Sequence, residues 1–280
     1  MNAIAVARPD EPGSEMQASY EALLARSRER RLKSGAIVGA VVATVLACCW
    51  LTGLLDGRRL AEGIPALGQL FGEMMPPDFT RWRDWIRPIV DTLGMSVAGT
   101  ALAVVLSLPM ALLAASNTTP NAVAYRASRL FLNVFRTVPE LIMGILFVAA
   151  VGFGALPGVL ALGLHSIGMV GKFFAEAIEH VDPRPVEAAR SAGASPFQVI
   201  WHAVLPQVLP QLSDITVYRW EYNFRASTVL GVVGAGGIGF QLISSLRLLD
   251  YQQVAAILLC ILGCVTLVDG LGALLRRHLK

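Results

Sequence analysis

Residues 187–206 read EAARSAGASPFQVIWHAVLP, a polar and amphipathic insert between two long apolar stretches. Three elements sit at fixed spacing within it: Glu187-Ala188-Ala189, then Gly193, then Leu205-Pro206. A glycine tolerates positive φ, so Gly193 can supply a tight turn. Ser195-Pro196 reads as an N-cap followed by a first-turn proline, which starts a helix. Set between apolar stretches, such a polar insert predicts a connection between membrane-spanning helices.

Outward from the insert, the chain is greasy. Of its 280 residues 55% are hydrophobic and 15% charged, and the mean hydropathy is +0.59. Soluble domains carry about a quarter charged residues, so most of this chain must face lipid. The net charge of +3 is too small to indicate nucleic acid, and the basic residues flank apolar segments instead of lining a groove. Cys48, Cys49, Cys260 and Cys264 lie in apolar runs without C-x-x-C spacing and read as small packing residues. His165, His180, His202 and His278 form no metal-binding pattern, so no metal site is expected.

A bilayer core about 30 Å thick needs ~20 apolar helical residues. Residues 36–55 meet that test as the first span. The tail before it, residues 1–35, carries Arg26, Arg28, Arg30, Arg31 and Lys33, which predict a cytoplasmic N-terminus. Residues 14–33 read either as a basic amphipathic helix on the membrane surface or as a solvated segment. A signal peptide would lie closer to the chain start and end in a small-residue cleavage site, so that reading is rejected. Residues 56–87 follow as an external loop rich in Pro and Gly. Its arginines (Arg58, Arg59, Arg81, Arg83 and Arg87) weaken the positive-inside argument. The core, residues 88–275, holds further spans at about 89–115, 130–151 and 156–175, one beginning near Gln207, and one at 254–275. Residues 116–129 form a polar turn, and the loop carrying the insert occupies 180–206, after the fourth span. Arg276, Arg277 and Lys280 close the chain in a short tail, residues 276–280. The expected fold is an all-α integral membrane protein of six transmembrane helices with both termini cytoplasmic.

Charge inside hydrocarbon is costly and usually functional. In the fifth span, Tyr218-Arg219-Trp220-Glu221-Tyr222-Asn223-Phe224-Arg225 puts Glu221 and Arg225 at i, i+4 on one face, with Arg219 on another. One reading is a buried Glu221–Arg225 pair that fixes helix register. The other is an arginine incompletely neutralised by Glu221, offering a charge and a donor fork to an anionic substrate, with Asn223 along the same pathway. Near the start of the third span, Arg136-Thr137-Val138-Pro139-Glu140 again spaces Arg136 and Glu140 at i, i+4. This is either a snorkelling arginine with an intrahelical partner or part of a gate. His165 reads as a helix–helix hydrogen bond.

Gly234-Ala235-Gly236-Gly237-Ile238-Gly239 satisfies G-x-G-x-x-G literally. No strand precedes it and no acidic residue stands about twenty positions on, so the dinucleotide reading fails. Gly231, Ala235 and Gly239 recur every fourth residue, the small-xxx-small pattern of close helix packing. A glycine cluster also lets a helix break where carbonyls line a cavity. Gly231, Gly234, Gly236, Gly237 and Gly239 are therefore expected at helix-packing positions. The sequence holds no G-x-x-x-x-G-K-[ST], so any ATP hydrolysis belongs to another chain. It holds no nucleophile elbow or metalloprotease helix either, which favours a transporter over an enzyme.

The insert resembles the EAA loop of ABC-transporter permeases. In order, R-T-V-P-E-L-I (136–142), that loop, and W-E-Y-N-F-R-A-S-T-V-L-G-V-V-G-A-G-G-I-G (220–239) resemble the permease of phosphonate ABC importers over about residues 85–275. The resemblance implies a MetI-like type I ABC importer permease fold in a bacterial inner membrane. It implies a homodimer of permeases, two copies of an ABC ATPase that binds ATP and Mg, and a periplasmic binding protein delivering phosphonate or phosphite. No cofactor is expected in this chain itself. Glu187, Ala188, Ala189, Gly193, Leu205 and Pro206 would form the cytoplasmic helix-turn-helix that docks into a cleft on the ATPase. Ala203 stands where the family often places a larger aliphatic, which implies a shallower apolar contact there. Transport would proceed by alternating access, with the docked hairpins carrying ATPase closure to the spans. The alternatives are a related permease for an amino acid or methionine, and an ion-coupled secondary transporter, whose inverted repeats are not visible in the sequence.

Overall fold

The computed structural model describes residues 12–278, and all regular structure among them is helical. The expectations for residues 1–11 of the tail and for Lys280 lie outside the described residues. The chain divides into two compact units, Met1–Leu70 and Phe71–Lys280.

In the first unit, α1 (Pro12–Leu51) runs without a break from the basic segment into the first span. Its stretch Arg26–Leu51 is long and apolar enough to cross a membrane. Gly53, at φ +76°, turns the chain, and α2 (Gly57–Glu73) follows. The expected loop over residues 56–87 is thereby corrected: α2 fills most of it, and the next helix already begins at Trp82. Leu60, Ile64 and Leu67 recur at helical spacing, a periodicity that the glycines and Pro65 mask in composition.

The second unit contains α3 (Trp82–Ala114), α4 (Ala122–Thr137), α5 (Glu140–Val151) and α6 (Ala155–Glu179). It continues with α7 (Pro183–Ser191), α8 (Pro196–Val199), α9 (Leu205–Leu230), α10 (Gly237–Arg247) and α11 (Tyr251–His278). The α3–α6 pair is its backbone. A Cβ on Gly99 would lie 2.9 Å from Leu162 Cβ, and one on Gly163 would lie 2.6 Å from Leu102 Cδ2, so glycine is what lets these two helices close up. Ala103, Ala111, Leu132, Ile167, Val170 and Phe174 form one core cluster beside the hairpin, and Met95, Met143, Leu162 and Leu230 form another further along. Leu146 and Leu262 remain exposed, as a surface bathed in lipid allows.

Among the described residues, four helices, α1, α3, α6 and α11, can each cross a membrane by length and composition. Two bent pairs complete six spans if each counts as one: α4 with α5 at 85°, and the α8–α9 helix with α10 at 43°. The third span, expected as one helix over residues 130–151, is thus corrected to a broken one. The polar turn also shrinks. Asn121 caps α4, its side chain accepting from the Ala124 amide at 2.8 Å, so the helix starts well before Leu130. The break follows from Pro139, which disfavours helical geometry at the residue before it; Val138 is accordingly extended, at φ −84° and ψ 118°.

Candidate functional site

The hairpin is built by local rules. Asp182 caps α7, its side chain accepting from the Arg184 amide at 3.0 Å. The Arg184 guanidinium also donates to that carboxylate and, with the amide bond, holds Asp182 below the usual carboxylate range. Glu187 and Ala188 point outward from α7, with Ala189 half-buried. Gly193 turns the chain at φ +81°. Ser195 then opens α8 with a capping box: Gln198 returns its side-chain oxygen to the Ser195 amide at 2.8 Å.

From α8 the chain does not stop. A π turn over Ile200–Val204 leads directly into α9, so Leu205-Pro206 lies inside one long helix. Leu205 donates its amide to the Ile200 carbonyl, the wider ring of a π-bulge, next to a proline that has no amide to give. Ala203 is buried within this chain and does not lie on the exposed face of the hairpin. The outward face carries instead Phe197 and Trp201, stacked at 6.2 Å and both exposed. Sequence reasoning missed them, although an i, i+4 aromatic pair inside the motif was there to be read. Gln207 accepts from the Asp182 amide at 2.9 Å and closes the base of the hairpin.

Further along α9 lies a polar cluster within the membrane. Arg219 is 1% exposed. Its Nε donates to Ser166 Oγ on α6 at 2.8 Å, Nη1 meets Met169 Sδ at 3.2 Å, and the guanidinium lies 4.2 Å over the Tyr222 ring. Nη2 has no hydrogen-bond partner. Among the described residues, no carboxylate forms an ion pair with Arg219. Ser166 Oγ donates to Asn223 Oδ1 at 3.1 Å, Asn223 Nδ2 donates to Thr100 Oγ1 at 2.9 Å, and Thr100 donates to the Ser96 carbonyl at 2.7 Å. This chain of bonds ties α9 to α6 and α3.

Glu221 and Arg225 do not pair with each other, a correction to the i, i+4 reading. Arg276 of α11 reaches Glu221 at 2.6 Å, and Asp269 of α11 takes Arg225 at 2.7 Å. Gly272 makes room for the first pair, because a Cβ there would overlap the Glu221 carboxylate. Arg136 and Glu140 are likewise apart, since the Val138-Pro139 break places them on different helices. Arg136 Nη2 contacts Asn133 Oδ1 at 3.4 Å. Glu140, first residue of α5, accepts from the Tyr222 hydroxyl at 2.9 Å and faces His165 Nε2 at 3.2 Å. His165 bridges helices as expected, its Nδ1 lying 3.0 Å from the Val138 carbonyl. A carbonyl can only accept, so that nitrogen carries a proton.

The glycine cluster breaks the helix. A 3-10 turn, Gly231–Val233, ends α9's run, Gly234 and Gly236 take φ of +95° and +78°, and Gly237, at φ +70°, opens α10. The reading of Gly231, Ala235 and Gly239 as one small-residue helix face is therefore corrected. Gly231 and Gly239 meet across the break, where a Cβ on Gly231 would lie 2.5 Å from the Phe240 amide nitrogen. Thr92 of α3 accepts from the Ile238 amide at 2.9 Å and fixes the start of α10.

Residues 107–280 match the family model of the binding-protein-dependent transport system inner membrane component. The phosphite transport system permease protein PtxC of Stutzerimonas stutzeri is 62% identical, over 93% of this chain and 98% of that protein. The phosphate-import permease protein PhnE of Mycolicibacterium smegmatis is 45% identical, over 81% of this chain and 42% of that protein. Among solved structures, an inward-facing conformation of the MetNI methionine ABC transporter matches with a TM-score of 0.61 at 22% identity, covering 70% of this chain and 96% of that one. That likeness shows a shared permease fold, and with it two broken spans and a projecting hairpin find their setting. The chain belongs to the binding-protein-dependent transport system inner membrane components, as a multi-pass transport subunit and not an enzyme.

Proposed function

We propose that this chain translocates phosphite, or phosphonates bearing the same tetrahedral phosphorus oxyanion, across a bacterial inner membrane by alternating access. The observation that carries the reading is Arg219: a guanidinium buried at the heart of the unit, with one nitrogen unbonded and, among the described residues, no carboxylate in an ion pair with it. A permanent positive charge is costly inside a membrane and is kept there for a reason. Ser166, Met169 and the Tyr222 ring hold it by weak, exchangeable contacts, so an oxyanion can displace them when the helices open. Arg225 already has Asp269 and is the poorer candidate. Relatives that carry phosphite and phosphate by name support the same chemical class.

The hairpin bearing Glu187, Ala188, Ala189, Gly193, Leu205 and Pro206 faces the cytoplasm and docks on the ATPase, with Phe197 and Trp201 as its exposed apolar anchors. Both termini are then cytoplasmic. Two permease copies work with two ATPase subunits, which bind ATP and Mg, and a periplasmic binding protein supplies the anion. Arg136, Glu140 and the broken α4–α5 span serve as part of the gate. The test is uptake into proteoliposomes holding the permease, its genomically adjacent ATPase and its binding protein. ATP-dependent accumulation of phosphite, competed by a phosphonate and not by methionine, is expected. Accumulation of methionine or another amino acid without phosphite would overturn the substrate reading.

A further inference from the structure

We propose that α2 lies in the headgroup layer of the bilayer, on the face at which α1 emerges, with its apolar stripe sunk toward the acyl chains. At about 100° per residue, Leu60, Ile64 and Leu67 fall within a stripe about 60° wide. All three are more than half exposed, and nothing on α2 is buried. The opposite side holds Arg58, Glu62 and Gln69, and an ion pair at 3.0 Å joins Arg58 to Glu62 along it. Pro65 sits beside this polar side, so the Ala61 carbonyl it leaves unbonded is open to water. An exposed apolar stripe rimmed by polar residues marks a contact surface for membrane or protein.

The choice of lipid as that partner rests on where the helix starts. Arg26–Leu51 of α1 rises about 39 Å at 1.5 Å per residue, more than the ~30 Å of hydrocarbon it must cross. Its last turn exposes Trp50, a residue type that settles at the membrane–water boundary. Only residues 52–56 separate that turn from α2, a reach of at most about 18 Å. α2 is not among the helices long and apolar enough to cross, and the chain next forms a span, α3. A short amphipathic helix tethered at the boundary, with a stripe too narrow to span and too greasy for water, fits the interfacial class.

The test uses the full-length chain in phosphatidylethanolamine–phosphatidylglycerol vesicles. Leu60→Cys, Ile64→Cys, Leu67→Cys, Arg58→Cys, Glu62→Cys and Gln69→Cys are made singly in a background with the native cysteines replaced by alanine, then spin-labelled. Labels at 60, 64 and 67 are expected to collide with oxygen more than with a water-soluble nickel chelate, and labels at 58, 62 and 69 the reverse. Nickel access at all six positions would place the helix in water and overturn the proposal. Protection of 60, 64 and 67 from both reagents would mean that protein covers them, and would overturn it equally. Wild-type chain gives an independent arm: a diazirine phospholipid should photolabel residues 60–67, and labelling of α1 without them counts against a lipid contact.

Discussion

At the scale of single residues, the charges of α9 divide into two kinds. Glu221 and Arg225 have counter-ions on α11, whereas Arg219 has a hydroxyl, a thioether and an aromatic face. Hydrogen bonds to a charged group contribute about 1.5–3 kcal/mol each, so losing the guanidinium's bonds to a bound oxyanion should cost roughly 10- to 100-fold per bond in transport. Arg219→Met keeps the volume and removes the charge; uptake should fall by about 100-fold or more while the protein still reaches the membrane. Arg219→Lys keeps the charge without the planar fork and should fall between the two. Unchanged phosphite uptake by Arg219→Met would remove the residue from the pathway. The Arg225–Asp269 pair is about half exposed, so a double-mutant cycle across it should return no more than about 1 kcal/mol of stability. The identities of these residues were legible in the sequence but their partners were not. The i, i+4 rule shows which side chains can meet on one helix, and here the counter-ions came from 44 and 55 positions away.

Among the elements, the informative ones are those that break a rule of straight helices. The turn at Gly193 has positive φ, and a Cβ added there would meet nothing within 4 Å, so backbone strain alone decides its substitution. Gly193→Val should therefore cost about 1–2 kcal/mol locally and reduce ATP-driven uptake more than it reduces the melting temperature of the purified chain. Ser195→Ala removes one half of the capping box and should loosen the hairpin by about 1 kcal/mol, read as faster amide exchange over α8. Asp182 adds a pH dependence of known sign. Its folded-state pKa is depressed by Arg184, so the cap is intact above the unfolded carboxylate range and is lost as pH falls through the lower folded value. Exchange protection of α7 should fall on acidification in the wild type and lose that pH step in Asp182→Asn. The hairpin was read correctly because capping, proline placement and glycine turns are local. The broken third span was misread because an apolar window averages across a kink, even though Pro139 stood in plain sight, whereas a break at the glycines 234, 236 and 237 was one of the two readings their clustering offered.

For the whole molecule, the consequential feature is continuity between the hairpin and the buried charge. The helix capped by Ser195 passes through the π turn and carries Arg219 without interruption. From Pro206 to Arg219 the rise is about 20 Å at 1.5 Å per residue, so a tilt imposed on α8 is carried to Arg219 along one continuous helix. The bonds from Arg219 through Ser166 and Asn223 to Thr100 then pass that tilt to α6 and α3. Transmission of this kind requires stiffness at one place in particular, the junction between Val204 and Leu205. Inserting a Gly-Ser-Gly linker there should leave the hairpin docked, with the ATPase subunit still co-purifying. ATP hydrolysis stimulated by the loaded binding protein should then be uncoupled from uptake, which should drop at least tenfold. Lengthening by a rigid full turn of alanines is the control, since it preserves stiffness and helical phase; it should retain more transport than the flexible insert of similar length. Coupled uptake that survives the flexible linker would show that force reaches the pathway by another route, and the direct-lever account would have to be abandoned.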